Sequence, residues 1–218
     1  MAIVLVGGHT RNIGKTSVVA GLIAALPDRQ WTAFKVTQFG HGICSANGEP
    51  CDCETDAHTV AVTEERTGNS GTDSARFLSA GAVRSFWVRT RQGQLAEAMP
   101  RVRRELASAA NAIVESNSIL RFLKPDLYLT VLDPAISDFK ASAQYFLDRA
   151  DAVLWSGRDM RSVAAGGTAW PTALWQLVRN KPQFFLEPPL FTSSELTQFV
   201  AERIPLPVDA TRTVASLH

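Results

Sequence analysis

Long apolar runs are missing from this 218-residue chain: no stretch reaches the roughly 20 continuous apolar residues that a helical membrane span needs. A charge excess is missing too. Twenty-two Lys and Arg against 21 Asp and Glu leave a net charge of +1, which offers no bulk field to a nucleic acid or an anionic membrane. Neither is expected as a partner, and any charged ligand must be met by a local site. Cysteine is scarce, with three residues, Cys44, Cys51 and Cys53, in one short segment. An odd number so closely spaced argues against a disulfide framework and fits metal or redox chemistry in a reducing compartment. The opening "MAIVLVGG" lacks the basic start and the length of a signal peptide, so a soluble cytoplasmic protein is the expectation. Internal repeats and low-complexity tracts are also absent.

What is present is an alternation. Short apolar or β-branched runs ("AIVLV", "TAFKV", "VRSFWVR", "NAIVES", "DLYLTVLD", "ADAVLW", "PQFFL") are separated by helical patterns at 14 to 26 and 94 to 109 and end in "SSELTQFVAERI". Strands apolar along their whole length, each followed by a helix, predict an α/β fold of three layers, a mainly parallel sheet with helices on both faces. With 45% hydrophobic residues the chain can bury one large core, and a single domain over 1 to 218 is expected. One departure from the rhythm stands out: residues 38 to 71 are rich in Gly, Asn, Thr and charge and read as a long inserted loop.

The first strand runs into "GGHTRNIGKTS". In the common phosphate-binding loop, G-x-x-x-x-G-K-[ST], the first glycine stands five positions before the second. Here that position is His9, and Gly8 lies one residue further back. Each part nevertheless has a use. Gly7 and Gly8 permit the turn and close backbone approach, and Gly14 opens a helix whose free N–H groups attract phosphate. Lys15 would reach the β and γ phosphates, and the Thr16 hydroxyl would bind Mg²⁺. The nucleotide is expected to lie along the whole loop: Gly8, His9, Thr10, Arg11, Asn12, Ile13, Gly14, Lys15, Thr16 and Ser17.

"GHTRNIGKT" resembles the loop of dethiobiotin synthetases, where the two glycines are also six apart. That family belongs to the class of P-loop NTPases that includes MobB, the nitrogenase iron protein and the signal-recognition GTPases. Three segments resemble the MobB family in particular: "AFKVTQFGHG", with Lys35 at a strand end and His41 after it; "GTDSARFLSAGA" at 71 to 82; and "AIVESNS" at 112 to 118, with Ser116 in place of a glycine. His9, Arg11, Thr72 and the cysteine segment depart from the MobB pattern. The resemblance implies a P-loop NTPase fold, a homodimer across the nucleotide face, a phosphate or substrate contact by Lys35, a magnesium site shared by Thr16, Glu115 and Asp73, and a phosphate or acidic-substrate contact by Arg76. Lys15, Asp73 and Glu115 are then the expected catalytic residues.

Each of these residues also has a plainer reading. Glu115 could cap the "SNS" turn that follows it, Asp73 could simply complement a helix dipole, and Lys35 could be a solvated lysine. In "HGICSANGEPCDCETDAH", His41, Cys44, Cys51, Cys53 and His58 could fill a zinc shell or hold an iron–sulfur cluster, or the cysteines could merely be tolerated. Asp133 ends a strand, and Asp138 is expected to cap the helix opened by "DFKASAQ". "VRNKP" carries the Asn-Lys of guanine-reading motifs, with Gln183 where the aspartate would stand.

Three functions are consistent with these residues. One is a MobB-like protein that binds Mg²⁺ and GTP (or ATP), hydrolyses it slowly and works with a cofactor-assembly partner in molybdopterin-type metal-cofactor assembly. The second is an ATP-dependent ligase or small-molecule kinase, and the third is a non-catalytic, nucleotide-gated metal carrier.

Overall fold

The computed structural model describes residues 1–39, 60–157, 170–186, 189 and 191–207. Among them, eight strands form one sheet: β1 (Ile3–Gly8), β2 (Trp31–Phe39), β3 (Val60–Glu64), β4 (Arg84–Arg91), β5 (Asn111–Glu115), β6 (Leu127–Leu132), β7 (Ala152–Ser156) and β8 (Gln183–Leu186). Their spatial order is β3-β4-β2-β5-β1-β6-β7-β8. Every neighbouring pair is parallel except β3–β4, which is antiparallel.

Strand β3 corrects one expectation. Residues 38 to 71 are not all loop: β2 runs on to Phe39, and Val60–Glu64 returns along β4 as an edge strand. The clue was the short "VAVT" alternation, too brief to outweigh the polar residues around it.

Among the described residues the α-helices are α1 (Lys15–Ala25), α2 (Asp73–Ser79), α3 (Leu95–Ala107), α4 (Ala141–Phe146), α5 (Thr172–Val178) and α6 (Ser194–Ala201). Strand side chains alternate between faces, and the core divides accordingly. Val4 and Val6 of β1, Ala33 of β2 and Ile113 of β5 pack with Val18, Leu22 and Ile23 of α1, Phe77 of α2 and Leu196 and Val200 of α6. Ile3 and Leu5, Phe34, and Ala112 and Val114 from the same strands pack with Met99 and Val102 of α3 and Phe146 of α4 on the other face. This is the three-layer α/β sandwich expected from the fully apolar strands.

That alternation also aims the polar residues at the strand ends. Lys35 follows Ala33 by two and Glu115 follows Ile113 by two, so both side chains leave the sheet on the α1 face. Lys35 and Glu115 are also direct register partners across β2 and β5. The connection after β1 runs through α1 towards β2, and the one after its neighbour β6 runs through α4 the other way towards β7, so a crevice opens between them at the strands' carboxyl ends, where such sheets collect ligands.

Candidate functional site: a crevice with two unlike rims

The crevice has a volume of 2010 Å³, and its floor is the loop between β1 and α1. Gly14 adopts a left-handed backbone (φ +94°), and a Cβ there would lie 2.6 Å from the Phe191 ring. Only glycine fits. At Gly8 a Cβ would meet Ile13 at 2.7 Å and both Lys15 and the Val131 carbonyl at 3.0 Å. Left-handed Gly14 followed by the helical Lys15 turns successive N–H groups into a concave anion nest, backed by the positive end of eleven-residue α1.

Lys15 folds over this floor, its Nζ donating to the Thr10 carbonyl at 2.6 Å. Burial pushes its ammonium down to about 8; Glu115 and Asp73 oppose that shift, while Lys35 and Arg11 add to it. An enclosed lysine whose charge is destabilised by burial, beside a row of N–H groups, makes a site that suits an anion.

The β5/β2 rim carries a closed polar network. The Lys35 ammonium donates to Glu115 Oε1 at 2.7 Å and to Thr16 Oγ1 at 3.2 Å, and it pairs with Asp73 Oδ2 at 2.7 Å. The Thr16 hydroxyl in turn donates to Glu115 Oε2 at 2.9 Å. Burial works against the charge of Lys35, but the two carboxylates outweigh it and raise its pKa. Burial likewise opposes the charge of Asp73, yet Lys35 holds that carboxyl below its usual range. Arg76 reaches Ser17 Oγ at 3.3 Å and Asp73 at 3.8 Å. Thus Thr16, Ser17, Lys35, Asp73, Arg76 and Glu115, which lie far apart in the chain, meet at one place. Glu115 does not cap the turn after it: Ser116 Oγ accepts the Ile119 N–H instead.

Oxygen donors from Thr16, Asp73 and Glu115 surround a single positive centre, the Lys35 ammonium. Their chemistry fits a hard cation such as Mg²⁺. Among the described residues no group of three or more His, Cys, Asp or Glu stands together. His41, Cys44, Cys51, Cys53 and His58, the expected zinc or iron–sulfur ligands, lie outside the described residues.

The β6 rim is built differently. His9, expected to face the nucleotide, is fully buried and turns its ring away from the crevice into an aromatic box. Its centroid lies 5.1 Å from Phe139 and 5.1 Å from Trp170, and Trp155 and Trp175 extend the stack. Its backbone is occupied as well, the N–H by Val131 O and the carbonyl by Lys140 N–H. The carbonyls of Val131 and Ile136 lie near the ring, but neither ring nitrogen has a hydrogen bond of normal geometry among the described residues. Burial lowers the pKa of His9, with those carbonyls and Asp133 opposing, so the ring is held neutral.

Asp138 does not cap a helix. Helix α4 begins after Lys140, and Asp138 instead accepts the Thr10 hydroxyl. Asp133 closes its own turn by accepting Ala135 N–H at 3.0 Å. Lys181 of "VRNKP" is committed to the Asp148 and Ala150 carbonyls, both at 2.7 Å. It locks a turn and reads no base.

Three residues of the site carry no local signal in the sequence. Asn117 clamps the loop entrance, accepting Gly8 N–H at 2.9 Å and donating to Gly8 O at 2.7 Å. Glu65 accepts Thr72 Oγ1 at 2.8 Å and Ser74 Oγ at 2.5 Å, fixing the start of α2 where Thr72 caps Ala75 N–H. Lys140 lines the crevice beside the loop.

No family model and no curated protein matches the chain. Among solved structures it is similar to HypB from Helicobacter pylori in complex with nickel (14% identity, 91% of this chain and 85% of that chain, TM-score 0.46). It is also similar to Aquifex aeolicus LpxK in complex with ATP (16% identity, 85% of this chain and 53% of that chain, TM-score 0.46). A third likeness is to MobB of Bacillus subtilis (13% identity, 94% of this chain and 99% of that chain, TM-score 0.41). All three are below 25% identity and below a TM-score of 0.5.

Proposed function

We propose that this chain is a P-loop protein that binds a nucleoside triphosphate with Mg²⁺ and hydrolyses it slowly. The observation that carries the reading is the meeting of Lys15, Thr16, Lys35, Asp73 and Glu115 around an anion nest at the start of α1. In this reading the nest amides and Lys15 hold the β and γ phosphates, and Thr16 and Glu115 hold the metal. Bound Mg²⁺ supplies charge neutralisation at the phosphate oxygens. Asp73, with a side chain 43% exposed against 4% for Glu115, sits at the mouth, where it orients the attacking water and accepts its proton. Water oxygen bonds to the γ phosphorus as the bond to the β-γ bridging oxygen breaks, leaving the nucleoside diphosphate and inorganic phosphate. Lys15 stabilises the charge that develops on the leaving oxygen.

GTP as the nucleotide, a homodimer across the nucleotide face, and a role with a partner in molybdopterin-type cofactor assembly are proposed from the MobB-like segments. Zinc or an iron–sulfur cluster on the cysteine segment is proposed from its thiols and is tested by metal analysis of the purified protein. One observation favours a second reading, an ATP-dependent ligase or small-molecule kinase. A crevice of 2010 Å³ exceeds the roughly 300–1,000 Å³ of an ordinary small-ligand pocket and leaves room for an acceptor beside the nucleotide.

Calorimetric titration with GTP and with ATP, each with Mg²⁺, tests these readings beside a Lys15→Ala control. GTP preference lost in the control supports the first reading. ATP preference with turnover that requires an added carboxylate or amine supports the second. Absence of binding by the folded wild type overturns both.

A further inference from the structure

The cations of the crevice are not equally satisfied. Lys35 lies between two carboxylates, Arg76 reaches Asp73 and Ser17, and Lys15 donates to the Thr10 carbonyl. Lys140 is different. Its side chain lines the crevice, yet among the described residues no carboxylate or other acceptor pairs with its ammonium. The nearby carboxylate, Asp138, already accepts the Thr10 hydroxyl.

The main chain of Lys140 is held firmly. Its N–H donates to His9 O at 2.9 Å, and its carbonyl accepts Ala143 N–H at 2.9 Å and Gln144 N–H at 3.0 Å as α4 begins. The adjacent Phe139 packs against the His9 ring. Thus His9, the additional residue of the lengthened loop, docks the β6–α4 segment against the cradle by both its backbone and its ring. A long, unpaired lysine is thereby fixed at its base and free at its tip, next to the anion nest.

We propose, on the nucleotide reading above, that Lys140 is a second phosphate-contacting lysine, that it grips the triphosphate from the β6 rim opposite Lys35, and that His9 is the residue that positions it. The surroundings support this. Burial pushes the Lys140 ammonium down to about 8, and Lys15 and Arg11 add to the shift while Asp138 opposes it. An ammonium crowded by the other cations of the crevice, Lys15, Arg11 and Lys35, holds its proton more firmly when a polyanion arrives. Nucleotide binding above about pH 8 therefore takes up protons, and affinity falls as the pH rises through that value.

The test is calorimetry of wild type, Lys140→Ala and Lys140→Arg with Mg²⁺ and either GTP or ATP, whichever wild type binds, and with the matching diphosphate and monophosphate. Titrations at pH 8.5 are repeated in buffers of different ionisation enthalpy to count protons, and thermal melting checks the fold. Removing a charge-assisted contact of this kind costs about tenfold or more in affinity. The expected result is such a loss for the triphosphate in Lys140→Ala, little change for the monophosphate, reduced proton uptake, and recovery in Lys140→Arg. His9→Phe keeps the aromatic packing and is expected to retain triphosphate affinity, whereas His9→Ala is expected to lose it in part. Binding by wild type with unchanged affinity and proton uptake in Lys140→Ala overturns the proposal alone. A folded wild type that binds no nucleotide overturns the nucleotide reading, and the proposal with it.

Discussion

The two rims of the crevice solve opposite electrostatic problems. On the β5/β2 rim, Lys35, Asp73, Glu115 and Thr16 satisfy one another in the absence of ligand, with Glu115 only 4% exposed and Lys35 17% exposed in their side chains. On the β6 rim, a neutral histidine and a stack of aromatic rings present an ammonium that has no partner among the described residues. The first rim is organised around oxygen donors that suit a cation. The second leaves positive charge uncompensated and suits an anion. A metal–nucleotide complex carries both kinds of group, which is why the contrast between rims bears on function.

The comparison can be broken most forcefully at Glu115. Glu115→Ala removes the carboxylate most deeply buried in the network and leaves Lys35 with Asp73 as its one carboxylate partner, and loss of a member of a buried pair costs about 3–5 kcal/mol. Chemical denaturation should show a destabilisation of that order, and a loss below about 1 kcal/mol would mean that the first rim is solvated and not closed. Next comes Lys15→Ala, which is expected to weaken nucleotide binding about 100-fold, since charge-assisted contacts to phosphate are among the strongest polar contacts. Unchanged affinity in the titration would remove the floor that both rims share.

Asn117→Ala has a smaller effect. It strips both polar partners from the Gly8 backbone, and an unsatisfied buried group costs about 1–3 kcal/mol. Part of that should appear in melting temperature and part as weaker nucleotide binding, because the loop entrance loosens. A loss of stability with intact affinity would confine Asn117 to a structural role.

The smallest effect is the pH dependence carried by His9. Its folded pKa lies below the unfolded value near 6.5, so the unfolded chain binds the proton more readily. The stability it contributes is fully present above about pH 6.5 and is lost as the pH falls from there through the depressed folded pKa. His9→Phe should flatten that part of the stability curve measured between pH 7 and pH 5. An identical curve in the variant would show that folding does not shift the His9 pKa, and the contrast between the rims would fail.

Legibility in the sequence followed the range of the interactions involved. The apolar strands, the helices after them, and the Gly-Lys-Thr at the start of α1 are local features, and the layered fold and the glycine turn into α1 were readable from them. Glu115 and Lys35 were readable in part, as polar residues closing apolar runs, and strand parity then sends both to the α1 face. Strand β3 was missed because five residues of alternation in a polar stretch look like loop until β4 supplies a partner. His9 and Asp138 were assigned the wrong neighbours for the same reason. A histidine in a phosphate loop reads as a ligand contact, and an aspartate before a helical run reads as a cap, until Phe139, Trp170 and Thr10 arrive from elsewhere.

By itself, then, the sequence determined the layered α/β architecture and the glycine turn that opens α1, since backbone propensity, hydrophobic period and glycine permissiveness act over a few residues. Only the tertiary structure decided what surrounds the nest. Asn117 on Gly8, Glu65 under α2, the pairing of Lys35 with both Asp73 and Glu115, and the half-buried Lys140 ammonium with no partner among the described residues all depend on segments distant in the chain. Their energies exist only once the sheet order has brought those segments within reach of a hydrogen bond.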